Sequence, residues 1–312
     1  MVIRLRSLLL SLSLWLLASL SQAEVRVVIV SSDSTAAYME AAQTLIDGLV
    51  NSGVSPYDIR RLSLLEWAAR PAQTVAPRIY VALGSQATAA LAASKVSAPV
   101  LATLLPRSSF ERVLRSSGRK ASAEFTAVYL DQSLQRQLTM IRLALPQAKH
   151  LGVLWGPDSW PKAPALRSLA DANGLSLNEA GLEGNFNVFP DLQQVLNGCD
   201  VFLALADPLV FNSSSIQNIL LTTFRAGVPV VAFSPAYVRA GALLALHATP
   251  VQVGRQAATF VVSALRGQLL PEQPVESNDF EVSVNEHVAR ALGLSLDAKA
   301  LRLTLRRLEH LP

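Results

Sequence analysis

Short apolar runs alternate with stretches of helical periodicity along most of the chain. Val25–Val30 is nearly continuous and β-branched, the pattern of a strand buried on both faces. Ser31-Ser32-Asp33-Ser34 then supplies turn and capping residues, and Tyr38, Ala42, Leu45, Ile46 and Leu49 recur at helical spacing until Asn51-Ser52-Gly53. Ile79–Leu83 predicts the next strand, Gly84-Ser85 turns it into a helix over Gln86–Ala93, and another short strand begins at Pro99. From Leu105 to Lys120, Pro, Ser and Gly interrupt any period, which predicts a connection between two lobes holding one short helix.

The second half is more regular. Helical faces fall at Leu134–Leu145, Pro164–Ala172, Val188–Leu196, Ile216–Phe224 and Val253–Ala264. Strands are predicted at Leu151–Trp155, Leu175–Glu179, Val201–Leu205, Pro229–Phe233, Leu243–Leu246 and Phe280–Val284, followed by an amphipathic helical tail. Such alternation implies an α/β fold with parallel sheets and crossover helices. The length of 312 residues suggests two lobes.

The composition is 51% hydrophobic and 16% charged, which excludes a disordered chain. Part of the apolar excess is terminal. Arg4 and Arg6 precede an apolar core over Leu8–Leu20, and Ser21-Gln22-Ala23 places small residues at a cleavage site. This reads as a secretory signal peptide cut after Ala23, with a membrane anchor as the alternative. The apolar core is short against the roughly 20 residues of a spanning helix. Export to the periplasm follows from this reading. The remaining chain has 25 basic against 23 acidic residues, a small and scattered excess that speaks against nucleic-acid binding. The single cysteine, Cys199, precedes an apolar run and reads as a semi-buried structural residue.

Catalytic patterns are scarce. There is no P-loop, no His-Glu-x-x-His and no Gly-x-Ser-x-Gly, and His150, His247, His287 and His310 are far apart. Ser117-Gly118-Arg119-Lys120 matches Ser-x-x-Lys but lies in a Ser/Gly-rich loop. No metal or cofactor is implied. What remains is a set of polar turns at the carboxyl ends of predicted strands, the edge where open α/β sheets bind ligands. The candidates are Ser32 and Asp33; Gly84, Ser85 and Gln86; Trp155 and Gly156; Asp207; and Ser234 and Ala236.

Several segments resemble the periplasmic solute-binding component of ABC transporters, in particular the family that includes tryptophan- and tyrosine-binding members. Val81–Ala87 is similar to the strand, Gly turn and helix of its first lobe, and Ala148–Trp155 to the opening of its second. Ala226–Ser234, Arg239–Leu243 and Val253–Ala258 (a Gly-Arg-Gln segment) resemble later stretches. The resemblance implies a type I periplasmic-binding fold: two Rossmann-like lobes, three crossovers and a ligand cleft that closes by hinge motion. By that analogy residues 24–126 with 241–270 form lobe one, and 127–240 with 271–312 form lobe two.

The resemblance implies capture of a small solute, with amino-acid-like molecules among the candidates, by a monomer that delivers it to a membrane permease without converting it. A sensory or envelope-accessory module that signals to a membrane partner is the alternative, and an exported hydrolase a third reading. Within the cleft, Asp33 or Asp207 is expected to meet an ammonium group and the Ser85 and Gln86 amides a carboxylate. Trp155 either covers an apolar side chain or packs in the core. His247 is the histidine nearest the expected cleft, with a structural role expected for it. Three departures from the family pattern bear on the pocket: Ala102–Pro106 is more apolar, Glu124-Phe125-Thr126-Ala127 stands in place of Asn-x-Thr-Gly, and Ala206-Asp207-Pro208 keeps the acid and lacks the usual amide, so the ligand need not be an aromatic amino acid.

Overall fold

In a computed structural model, residues 25–70, 76–182 and 188–310 are described. The expected signal peptide and its cleavage site lie outside them. Among the described residues, no helix is long and apolar enough to cross a membrane.

The run Val27–Ser31 (β1) is an interior strand of an all-parallel sheet with Ile59–Ser63 (β2), Ile79–Leu83 (β3), Val100–Leu105 (β4) and Phe125–Tyr129 (β5), in the order β2-β1-β3-β4-β5. Every residue of β1 is buried. Val27 and Ile29 face one layer, made by the helices Ala36–Asn51 (α1) and Pro250–Leu265 (α10). Val28 and Val30 face the other, where Trp67, Leu91 and Phe110 come from Leu64–Ala69 (α2), Ser85–Ala93 (α3) and Arg107–Ser117 (α4). A strand sandwiched this way needs apolar residues on both faces, which explains its unbroken β-branched sequence.

The second sheet is built from His150–Trp155 (β6), Ser176–Gly181 (β7), Val201–Leu203 (β8), Val230–Ala232 (β9), Leu244–His247 (β10) and Glu281–Val284 (β11), ordered β11-β10-β9-β8-β6-β7. Only the edge strand β11 runs antiparallel, against β10. Its helices are Leu134–Ala144 (α5), Ala163–Ala172 (α6), Val188–Leu196 (α7), Ile216–Arg225 (α8), Pro235–Ala240 (α9), Glu286–Ala291 (α11) and Ala298–Leu308 (α12). Taken in chain order, the five parallel strands of each sheet have the same doubly wound arrangement, with a switch point between β1 and β3 and another between β6 and β8.

The chain passes between the lobes three times. Residues 130–133 lead from β5 to α5, and residues 248–249 lead from β10 to α10. Val275 still bridges to Val128 beside β5, so the third passage spans residues 276–280 before β11. These positions move the expected boundaries. Phe125–Tyr129 stays wholly in the first sheet, past the expected boundary at residue 126, and Leu244–His247 belongs to the second sheet, against the expectation that residues 241–270 lie in lobe one. The segment read as an interlobe connection at 105–120 holds α4, a helix of 11 residues within lobe one. Its buried Ser108, Phe110 and Val113 carry too few apolar residues for the period to stand out. The exposed strand β2 went unpredicted for a related reason: its Arg60 and Arg61 face solvent at a sheet edge.

Lobe one depends on a close helix crossing. A Cβ on Gly254 of α10 would lie 2.5 Å from the Ala41 carbonyl of α1, and one on Gly48 of α1 would lie 2.6 Å from the Ala258 Cβ. The glycine of the Gly-Arg-Gln segment is therefore a packing requirement. Gly254→Val is expected to lower stability by roughly 1–3 kcal/mol through overpacking, measured by urea denaturation; an unchanged midpoint would show that the helices can separate freely.

Candidate functional site

The carboxyl ends of β4, β5, β8, β9 and β10 converge with the crossovers on a cavity of about 320 Å³. Its walls are mostly apolar: Pro106 after β4, Leu130 from the first crossover, Ala204, Leu205 and Ala206 after β8, Phe233 and Pro235 after β9, and Leu246 and Ala248 around the second crossover. The polar exceptions are Asp131, Gln132, Gln137, Lys162, Ser234 and His247. Lobe two and the crossovers supply nearly all of the lining.

Asp131 and Lys162 form the charged part of the wall. Lys162 Nζ donates to Asp131 Oδ1 at 2.9 Å, and the Arg107 backbone N–H at the start of α4 donates to Asp131 Oδ2 at 2.7 Å. The two side chains are 8% and 17% exposed for Asp131 and Lys162, so the pair is largely removed from water. Two contacts leave about two lone-pair directions on the carboxylate and two donors on the ammonium. Both groups can therefore take on further partners without breaking their own bond.

Behind this pair a second interlobe recess of about 380 Å³ is lined by Arg107, Glu111, Asp158 and Glu276 as well as Lys162. Burial raises the Glu276 carboxyl above its usual range, against the lowering effect of Lys162. His247 Nε2 lies 3.0 Å from Ser283 Oγ, and burial lowers its pKa, which favours the neutral ring. Ser283 does not line the cavity, and among the described residues no carboxylate is hydrogen-bonded to His247. That arrangement supplies no Ser–His–acid set.

The residues singled out from the sequence have different fates. Ser234 reaches the cavity, where its Oγ also accepts from the Ala236 N–H at 3.2 Å; Ala236 is exposed on the short helix α9 and outside the lining. Ser32 and Asp33 line a separate open recess on lobe one with Arg61 and Glu66. Ser32 Oγ accepts from the Ala87 N–H at 2.8 Å and so caps α3, where Gly84 has no side chain to do so. Gly84 has φ +86°, and a Cβ there would meet the Tyr38 hydroxyl at 2.6 Å. Ser85 and Gln86 begin α3, away from the cavity. Asp33 Oδ1 accepts from the Ser34 and Thr35 N–H groups at 2.6 and 3.1 Å.

Asp207 is 2% exposed and fully engaged. Its Oδ2 accepts from the Asp158 and Ser159 N–H groups at 3.0 and 2.8 Å and from Ser159 Oγ at 2.9 Å, and its Oδ1 from the Leu209 N–H at 3.0 Å. A Cβ on Gly156 would overlap this carboxylate, so the turn after β6 closes around it. Trp155 is 1% exposed, donates Nε1–H to Glu179 Oε2 at 2.6 Å and packs edge-on to Trp160. It packs in the core of lobe two. Cys199 is buried and its thiol is pushed up to about 11 by desolvation, as suits an inert structural residue.

Asp207→Ala removes a buried acceptor from four donors and is expected to cost about 3 kcal/mol, read as a lower midpoint in chemical denaturation. Because burial lowers the His247 pKa in the folded state, the unfolded chain takes up the proton first as pH falls. Stability is then complete above about pH 6.5 and declines below it. The thermal midpoint should fall less steeply in that acid range for His247→Gln than for the unaltered chain, and equal slopes would contradict this.

A family model for ABC transporter substrate binding protein matches residues 24–305. A tyrosine-binding protein of Clostridioides difficile is 24% identical over 173 residues, which are 54% of this chain and 49% of that one, so the chain spans about half the length of this curated relative. Among solved structures, a ligand-free, open substrate binding protein with adhesive properties from Clostridium difficile aligns with TM-score 0.67 at 18% identity, over 87% of this chain and 96% of the other. An ABC domain from Streptococcus pneumonia in complex with L-Trp aligns with TM-score 0.61 at 15% identity, over 89% and 97%. These likenesses identify the two lobes as the type I periplasmic-binding architecture. With the family match running through both lobes and all three crossovers, the chain belongs to the ABC transporter substrate binding protein family.

Proposed function

We propose that the protein captures a small zwitterionic, amino-acid-like solute with an apolar body in the interlobe cavity and passes it, unconverted, to a membrane permease after export to the periplasm. The observation that carries this reading is the Asp131–Lys162 pair in a wall that is otherwise mostly apolar. A carboxylate and an ammonium side by side, each with spare hydrogen-bonding capacity, complement a ligand ammonium and carboxylate held on one carbon. Leu205, Phe233 and Leu246 supply the surface for an apolar side chain, and the cavity suits a compact ligand rather than a polymer. Asp131 thus takes the part that Asp33 or Asp207 was expected to play, and Lys162 the part expected of the α3 amides. In this reading Ser234 and Gln137, which line the same cavity, orient the bound molecule.

The tyrosine-binding relative and the L-Trp complex of a structural neighbour support an amino-acid-like ligand. The test is thermal shift of the chain from residue 24 with a panel of free L-amino acids, sugars and purines, followed by calorimetry on any hit. At least one apolar amino acid should raise the midpoint by several degrees, and Asp131→Asn and Lys162→Ala should each weaken it at least tenfold. Binding of a sugar that ignores both substitutions, or no hit among the amino acids, would overturn the assignment.

A further inference from the structure

We propose that Asp158 is an interlobe positioning residue: with Arg112 and Arg115 it forms an ionic latch that favours the closed arrangement of the lobes before any ligand arrives. Arg112 and Arg115 stand three residues apart on α4, hence on one face of a lobe-one helix. Asp158 belongs to lobe two, in the turn after β6. Its Oδ2 pairs with Arg112 Nη2 and its Oδ1 with Arg115 Nη2 at 3.2 Å, one carboxylate receiving two guanidinium groups from across the cleft.

The carboxylate is aimed. The Asp158 N–H donates to Oδ2 of buried Asp207 at 3.0 Å, and the same Asp207 oxygen holds Ser159, so the turn cannot rotate without losing several bonds. The Asp158 side chain is 14% exposed, against 54% and 62% for Arg112 and Arg115, so a placed acid meets two solvated bases. The latch also has leverage. Arg107, at the other end of α4, touches the first crossover through Asp131, and Arg115 lies eight residues further, about 12 Å along the helix axis. Rotation about the crossovers therefore separates Arg115 from Asp158 more than it disturbs Asp131. Asp158 stays outside the main cavity, so the latch acts on the population of the closed form and through it on apparent affinity.

The proposal rests on the lobes and crossovers and is independent of what the ligand is. The experiment is pulsed electron spin resonance on the ligand-free chain from residue 24, with nitroxides at Ala89→Cys in lobe one and Gln217→Cys in lobe two, both exposed helix positions, in 20 and 500 mM NaCl. Buried Cys199 is left unlabelled. Exposed ion pairs are screened by salt, so the closed-to-open ratio should fall roughly threefold to tenfold at the higher concentration. Asp158→Asn, and separately Arg112→Gln with Arg115→Gln, should show the high-salt distribution at both concentrations. Charge reversal, Asp158→Lys with Arg112→Glu and Arg115→Glu, should restore the salt response, which a merely structural role would not. Circular dichroism melts check that each variant is folded. If both neutralised variants keep the original distance distribution and salt response, or reversal restores nothing, the latch is refuted.

Discussion

A single carboxylate, Asp131, joins the parts on which the cavity depends. The helix α4 begins at Pro106 with no side-chain cap of its own. Asp131 supplies one from the first crossover by accepting the Arg107 N–H, where its charge also meets the positive end of the helix. The same group binds Lys162 of lobe two. Lobe one, crossover and lobe two thus meet at one nearly buried acid. Removing either partner would leave a charge stranded at low exposure, which is costly and explains why the contact is made so fully.

The crossovers are themselves tied together by buried glutamines. Gln132 of the first passage receives Arg136 Nη1 at 2.6 Å, and Arg136 also donates to the Ser277 carbonyl of the third. Gln252, next to the second passage, donates to the Phe280 carbonyl at 3.1 Å, and Gln256 exchanges bonds with Glu276 and Asn278. The C-terminal segment braces the same region through Arg136–Glu309 and Arg306–Asp279. Three separate chain passages are therefore bonded to one another where the lobes meet.

Several polar residues at strand ends are consumed by the fold. Asp207 closes a turn, Ser32 caps a helix, Trp155 fills a core and Gly84 makes room for Tyr38. Each sits at the edge where ligands bind in doubly wound sheets, and each was a reasonable candidate on that ground. Their neighbours decide their roles. A buried carboxylate surrounded by donors saturates locally, whereas Asp131, receiving the Arg107 N–H and Lys162, keeps lone-pair capacity.

Strand–helix alternation and the buried β-branched run of β1 follow from local periodicity, because each element's apolar positions are set by the layer packed directly on it, whereas the two-lobe plan follows from chain length. The family showed in the sequence only as a resemblance of short segments such as Val253–Ala258, whose Gly254 lies where α10 packs closely on α1. The helix α4 and the edge strand β2 were not legible, since their charged and small residues hide the period. The cavity was least legible of all. The sequence places Ser234 and His247 at or near the cleft, but Asp131 and Lys162 come from segments with no motif, 31 residues apart. Only the passage of the chain between two sheets brings these residues onto one wall, and only their neighbours in space distinguish Asp207, which closes a turn with four donors, from Asp131, which receives the Arg107 N–H and Lys162.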